Sequence, residues 1–154
     1  DLDIAILQPD FFRAKKALSH LNQDKYQVQD WSSRGKKDSY LKVYVKECGA
    51  LIDIYCFSID PVKKTFTSIF SGEHNLFLPE SWKARERKYT TPVSFDMIFP
   101  LKKGMLDGIE VFVPNQTKSF LQCRYGENIE PCNIFDEQEN CYVKDLTHPY
   151  WSTP

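Results

Sequence analysis

Two short stretches constrain this chain more than any other: Asp1-Leu2-Asp3-Ile4-Ala5-Ile6 and, some fifty residues later, Leu51-Ile52-Asp53-Ile54-Tyr55. Each surrounds carboxylates with apolar, largely strand-forming residues, and each reads as a buried strand. Side chains alternate between faces along a strand, so Asp1 and Asp3 share one face. A carboxylate in such a setting needs a cation or a hydrogen bond to offset its desolvation. Three carboxylates on adjacent strands would repel one another, and a hard divalent ion, Mg²⁺ or Mn²⁺, would remove that repulsion. Metal-assisted phosphoryl and nucleotidyl transfer requires this arrangement. Two structural alternatives stand beside it. Asp1 and Asp3 could open a strand at a solvated end, and Asp53 could cap a neighbouring loop.

The rest of the composition sets bounds on that chemistry. With 154 residues the expectation is one domain, residues 1–154, with enough chain for a core. Aromatics at 14% favour a strand-rich fold with aromatic-lined grooves. A net charge of −1 provides no global basic field, which argues against a nucleic-acid partner. No apolar run approaches the length of a membrane span. The chain opens inside a strand without Met, so the expectation is a piece of a longer protein, with any targeting segment or membrane anchor outside it. Five cysteines cannot all pair within the chain. One or two disulfides, such as Cys48 with Cys56 across a hairpin, and buried free thiols are both open. Asn115-Gln116-Thr117 is an N-glycosylation sequon, meaningful only in a secretory compartment.

Periodicity gives the element order. A strand over Asp1–Leu7 precedes a helix from Pro9 to Asn22, with Asp10 in its first turn. Strands follow over Tyr26–Trp31, Tyr40–Val45 and Ala50–Phe57, the last two antiparallel about the Glu47-Cys48-Gly49 turn. The stretch from Ser58 to Ser94 is less regular, with a short helix over Ser81–Lys88. Asp107-Gly108 joins Lys102–Leu106 to Ile109–Val113 as a hairpin of type I′ character. A helix over Gln116–Tyr125 ends at Gly126, and residues 127–154 form a loop-rich tail with three prolines.

Several of these residues, in order, resemble the LicD family, which includes the fukutin and fukutin-related proteins and bacterial phosphocholine transferases. Asp1-Leu2-Asp3-Ile4 looks like the end of the family's aspartate run. Phe99-Pro100-Leu101, Gly108-Ile109-Glu110-Val111-Phe112-Val113-Pro114-Asn115, Phe120-Leu121 and Arg124-Tyr125-Gly126 look like its Pro-Leu, Gly-x-x-Val-x-x-Pro-Asn, Tyr-Leu and Tyr-Gly series. Asp53 sits where the family's third carboxylate belongs. The resemblance spans roughly residues 1–131. It implies an α/β (α+β) nucleotidyltransferase-like mixed sheet with flanking helices. It also implies transfer of a phospho-alcohol or phospho-sugar group from a nucleotide diphospho-donor, of CDP type, onto a glycan or glycoprotein acceptor. Eukaryotic members work in the Golgi or endoplasmic reticulum lumen. The family's Gly-rich helix start lies before the aspartate strand; nothing precedes Asp1 here, so that N-terminal part is expected to be missing.

On this reading Asp1, Asp3 and Asp53 are the catalytic and metal-holding residues. Asp1 and Asp3 hold the Mg²⁺ or Mn²⁺ that bridges the donor phosphates. Asp53 holds a second ion or takes the acceptor proton. Arg34, Lys36 and Lys37 are candidates to bind the donor phosphates, against a solvated turn. Trp31 and Tyr55 are candidates to stack on a base or sugar, against core packing. Arg124 either pairs with a sheet carboxylate or lies at the surface, and His20, His74 and His148 fit no ligand spacing. A catalytically silent glycan-binding or scaffold domain of the same fold is the competing expectation.

Overall fold

A computed structural model describes residues 2–32, 38–70, 72–73, 75–106, 108–127, 129–148 and 151. The expectations for Asp1, Arg34, Lys36, Lys37, His74 and Asp107 therefore lie outside the described residues. The chain divides into two compact units, Asp1–Phe120 and Leu121–Pro154. It has mixed α/β content with largely antiparallel sheets.

The first unit is organised by β4. Strand β1 (Leu2–Leu7) leads through a single 3₁₀ turn at Gln8–Asp10 into helix α1 (Phe11–Leu18). Strands β2 (Tyr26–Asp30), β3 (Tyr40–Val45) and β4 (Leu51–Asp60) follow, then β5 (Thr65–Ser68). β2, β3, β4 and β5 pair antiparallel in sequence order, while β1 pairs parallel with β4 over Ile52–Phe57. Both β1 and β3 pair with residues 52–55, so they must lie on opposite edges of β4. After α2 (Glu80–Arg87), the two-residue β6 (Val93–Ser94) extends the sheet beside β5.

Strand alternation then builds two cores on the two faces. On one face Leu41, Val43, Ile54 and Cys56 are buried beneath Phe11 of α1, with Ala14, Leu18 and Leu21 packed against them. On the other, Phe57 and Phe66 stack at 4.4 Å and are covered by Val93 and by Ile98 of α3 (Phe95–Ile98). The Phe99–Pro100 peptide that follows is cis. The hairpin of β7 (Lys102–Leu106) and β8 (Ile109–Val113) runs from there to Pro114-Asn115. Asn115 is fastened to α3: its backbone N–H donates to the Ile98 carbonyl at 3.0 Å and its side-chain amide to the Asp96 carbonyl at 2.9 Å. Helix α4 (Thr117–Tyr125) starts two residues on, and its Phe120 packs against the second core.

In the second unit β9 (Asn133–Asp136) and β10 (Cys141–Lys144) pair antiparallel. The Trp151 indole N–H donates to the Cys132 carbonyl at 2.6 Å, and the Lys144 ammonium lies over the Trp151 ring. No helix among the described residues is long and apolar enough to cross a membrane.

Four expectations need correction. Strand β1 is not buried: Leu2–Ala5 are exposed, because β1 pairs with β4 alone and lies at an edge of the sheet. Helix α1 stops at Leu18, not Asn22, because the chain tightens there into i→i+3 bonds (His20 to Ala17, Leu21 to Leu18) and then closes an Asx turn at Asn22. β4 runs on to Asp60, whose carboxylate accepts the Val62 and Lys63 N–H groups and turns the chain into the unanticipated β5. The tail carries a hairpin, not only loops. Of the two alternatives left open for the cysteines, the structure has thiols: all five are free, though only Cys56 is buried. Cys48 is exposed on the β3–β4 turn, whereas Cys56 is buried in the first core well down the strand, so these two cannot bridge.

Burial pushes the Cys56 thiol up to about 11. In the native chain a thiol-specific reagent at pH 8 is expected to label Cys48, Cys123 and Cys141 rapidly. Cys56 should react only after denaturant is added, as mass spectrometry of the labelled peptides would show. Phe11 is fully buried, and Phe11→Ala should lower unfolding stability by about 3–5 kcal/mol in urea titrations.

Candidate metal centre on the sheet face

Register decides which charged groups meet. Across the sheet Gln29, Lys42, Asp53 and Asp3 are direct neighbours on β2, β3, β4 and β1. They share one face, the same one as Phe57 two pleats further along β4. The structure thus brings Asp3 and Asp53 side by side on adjacent parallel strands. One pleat on, Tyr40 and Tyr55 are also register partners, and their rings stack at 4.9 Å with only 6° between planes.

Asp53 is 8% exposed, yet it is not left to bear its charge alone. The Lys42 ammonium lies 3.1 Å from its Oδ1, an ion pair without hydrogen-bond alignment. The Tyr55 hydroxyl donates to Oδ2 at a long 3.4 Å. Lys42 is itself only 14% exposed, and its ammonium lies over the Trp31 ring at 5.1 Å and the Tyr40 ring at 5.7 Å. Burial, together with Asp53, raises the pKa of both tyrosines, so both hydroxyls stay protonated and can donate.

Asp3 is differently placed. It lies on an outer strand and is exposed. Desolvation from the sheet, and then the neighbouring Asp53 charge, raise its pKa above the ordinary carboxylate value; Lys42 opposes this in part. Asp3 carries the repulsion within the pair, while Asp53 carries the compensation.

Oxygen donors held this way suit a hard divalent cation. Asp53 Oδ1 makes no hydrogen bond despite being buried, and Asp3 beside it lacks full compensation. Among the described residues, no group of three or more His, Cys, Asp or Glu is gathered closely enough to hold a metal. A third ligand from Asp1 would lie outside them.

The other sequence candidates fall as follows. Trp31 is not in a core: it is 49% exposed, its indole N–H donates to Gln29 at 2.7 Å, and its ring covers Lys42. Tyr55 is half-buried and packs against the second core. His20 is exposed. Burial lowers the Arg124 pKa. Asn115 is half-buried, with its amide engaged as described above.

Sequence reasoning missed Lys42. The signal was present, since Tyr40-Leu41-Lys42-Val43 alternates strictly and puts a lysine inside a strand otherwise fit for burial. A groove of about 330 Å³ beside β5 is also lined by an arginine, Arg87, but that guanidinium is held by Glu73 and Glu80 at 2.6–3.0 Å. In comparisons with known proteins, no family model matched the chain and no curated protein matched it.

The Asp3 asymmetry has a measurable sign. A carboxyl whose folded pKa is raised costs stability once pH exceeds its ordinary value near 4. Asp3→Asn should therefore raise the melting temperature at pH 7 in metal-free buffer. The gain should shrink as pH falls and vanish below about pH 4, as thermal scans across that range would show.

Proposed function

We propose that this chain is the carboxylate-bearing part of a metal-dependent phosphotransferase with a LicD-like, nucleotidyltransferase-type fold. It would move a phospho-alcohol or phospho-sugar group from a nucleotide diphospho-donor, of CDP type, onto a glycan or glycoprotein. The observation that carries this reading is the parallel register of Asp3 with Asp53 on one sheet face. The ordered motif series of the LicD resemblance supports it. A Mg²⁺ or Mn²⁺ ion bound there would neutralise donor phosphate charge and polarise the phosphorus under attack.

Asp3 and Asp53, with Asp1, would hold that ion. Lys42 and the Tyr55 hydroxyl hold the Asp53 side chain in place, where it would hold a second ion or take the acceptor proton. The half-exposed Trp31 ring beside Lys42 offers an apolar face to a base or sugar. Arg34, Lys36 and Lys37 remain candidates to meet the donor phosphates. The Asn115 sequon accords with a parent protein in the Golgi or endoplasmic reticulum lumen.

One observation favours a second reading. The Lys42–Asp53 ion pair compensates the buried carboxylate from within, as a catalytically silent glycan-binding or scaffold domain would need.

Titration with CDP-linked donors, with and without Mn²⁺ or Mg²⁺, separates the two. The enzyme reading expects metal-dependent donor binding and transfer that Asp3→Asn and Asp53→Asn reduce to background, with circular dichroism unchanged. Glycan binding indifferent to metal and to both substitutions would favour the silent domain instead.

A further inference from the structure

Lys42 faces the candidate site without being one of its proposed ligands. Its ammonium stands 3.1 Å from the carboxylate that a divalent ion would need. It reaches there from the strand on the opposite side of β4 from Asp3, so the row across the sheet runs cation, anion, anion. The ammonium is also not fastened to Asp53 alone: the Trp31 and Tyr40 faces lie within 5.1 and 5.7 Å of it and attract a cation whether or not the carboxylate does. An ammonium with a second favourable contact can yield the carboxylate at lower cost than one surrounded by apolar groups.

We propose that Lys42 is a built-in counter-ion that competes with divalent metal for the Asp3–Asp53 pair, and so sets how tightly the site binds metal. This rests on the metal-dependent reading above. Without metal, Lys42 neutralises Asp53 and keeps the buried carboxylate in place. With metal bound, the ammonium leans on the two aromatic rings, where it remains next to any anionic donor. The cost is weakened metal affinity, because a like charge persists a few ångströms from the ion.

The test is Mn²⁺ binding to the full chain, followed by calorimetry, for wild type, Lys42→Met and Lys42→Arg. Lys42→Met preserves the aliphatic stem against Trp31 and removes the charge. It should bind Mn²⁺ at least about tenfold more tightly than wild type, while Lys42→Arg, which keeps the charge, should stay within about twofold of it. Asp3→Asn should weaken binding in both the wild-type and the Lys42→Met backgrounds. A folded Lys42→Met that binds no more tightly than wild type, with Asp3→Asn still weakening both, overturns the counter-ion role and leaves the metal site standing. Absence of Mn²⁺ binding in every variant overturns the metal site and the counter-ion role together.

Should Lys42→Met not fold, wild type answers the same question. Mg²⁺ should shift the ε-methylene resonance of Lys42, assigned by its loss in Lys42→Arg, as the ammonium leaves Asp53. Mg²⁺ binding with that resonance unmoved would overturn the competition.

Discussion

The parallel pairing of β1 with β4 is the contact on which the rest of this fold turns. β4 is paired along both edges over residues 52–55 and continues past them to meet β5, so its backbone is fixed over most of its length. Its pleat must then send Ile54 and Cys56 to one face and Asp53, Tyr55 and Phe57 to the other. The first face is apolar and closes under α1. The second is apolar only in part: Phe57 enters a core, while Asp53, four residues earlier, faces charged neighbours. A single strand thus supplies structural packing at one end and electrostatics at the other.

Burial of Asp53 is tolerable only because its neighbours in the sheet are chosen for it. Lys42 across one edge supplies the opposite charge, and the Tyr40–Tyr55 stack lines the next pleat with protonated hydroxyls. Asp3 across the other edge adds a second negative charge that the same lysine reaches only partially. The imbalance is a property of the row as a whole. Two carboxylates and one ammonium on three adjacent strands leave net negative charge on a partly dry surface, where such charge attracts cations strongly.

The residues that carry the family resemblance in the second half of the first unit have structural roles close at hand. Gly108 adopts a left-handed φ of 81° at the β7–β8 turn, which a side chain would resist. Asn115 ties the end of that hairpin to α3, and Phe120 packs into the second core. In the second unit Gly126, at φ 93°, ends α4, and its N–H donates to the Gln122 carbonyl.

Local pattern was enough to place β1, β3, the β7–β8 hairpin and α4 to within a residue or so, because period-two alternation and turn glycines act over a few residues. It was also enough to single out Asp3 and Asp53, because a carboxylate amid strand-forming residues needs a reason wherever the strand ends up. It could not give the end of α1, where propensity yields to the tightening turn, nor β5, a short polar strand ordered by pairing with β4. Nor could it give the partner of Lys42: alternation marks that lysine as out of place in its strand, but only register sets it opposite Asp53. Alternation along each strand was thus fixed by the residues themselves. Which strands became neighbours, and in which register, was decided only by the folded sheet, since contacts between segments fifty residues apart depend on the packing of both faces at once.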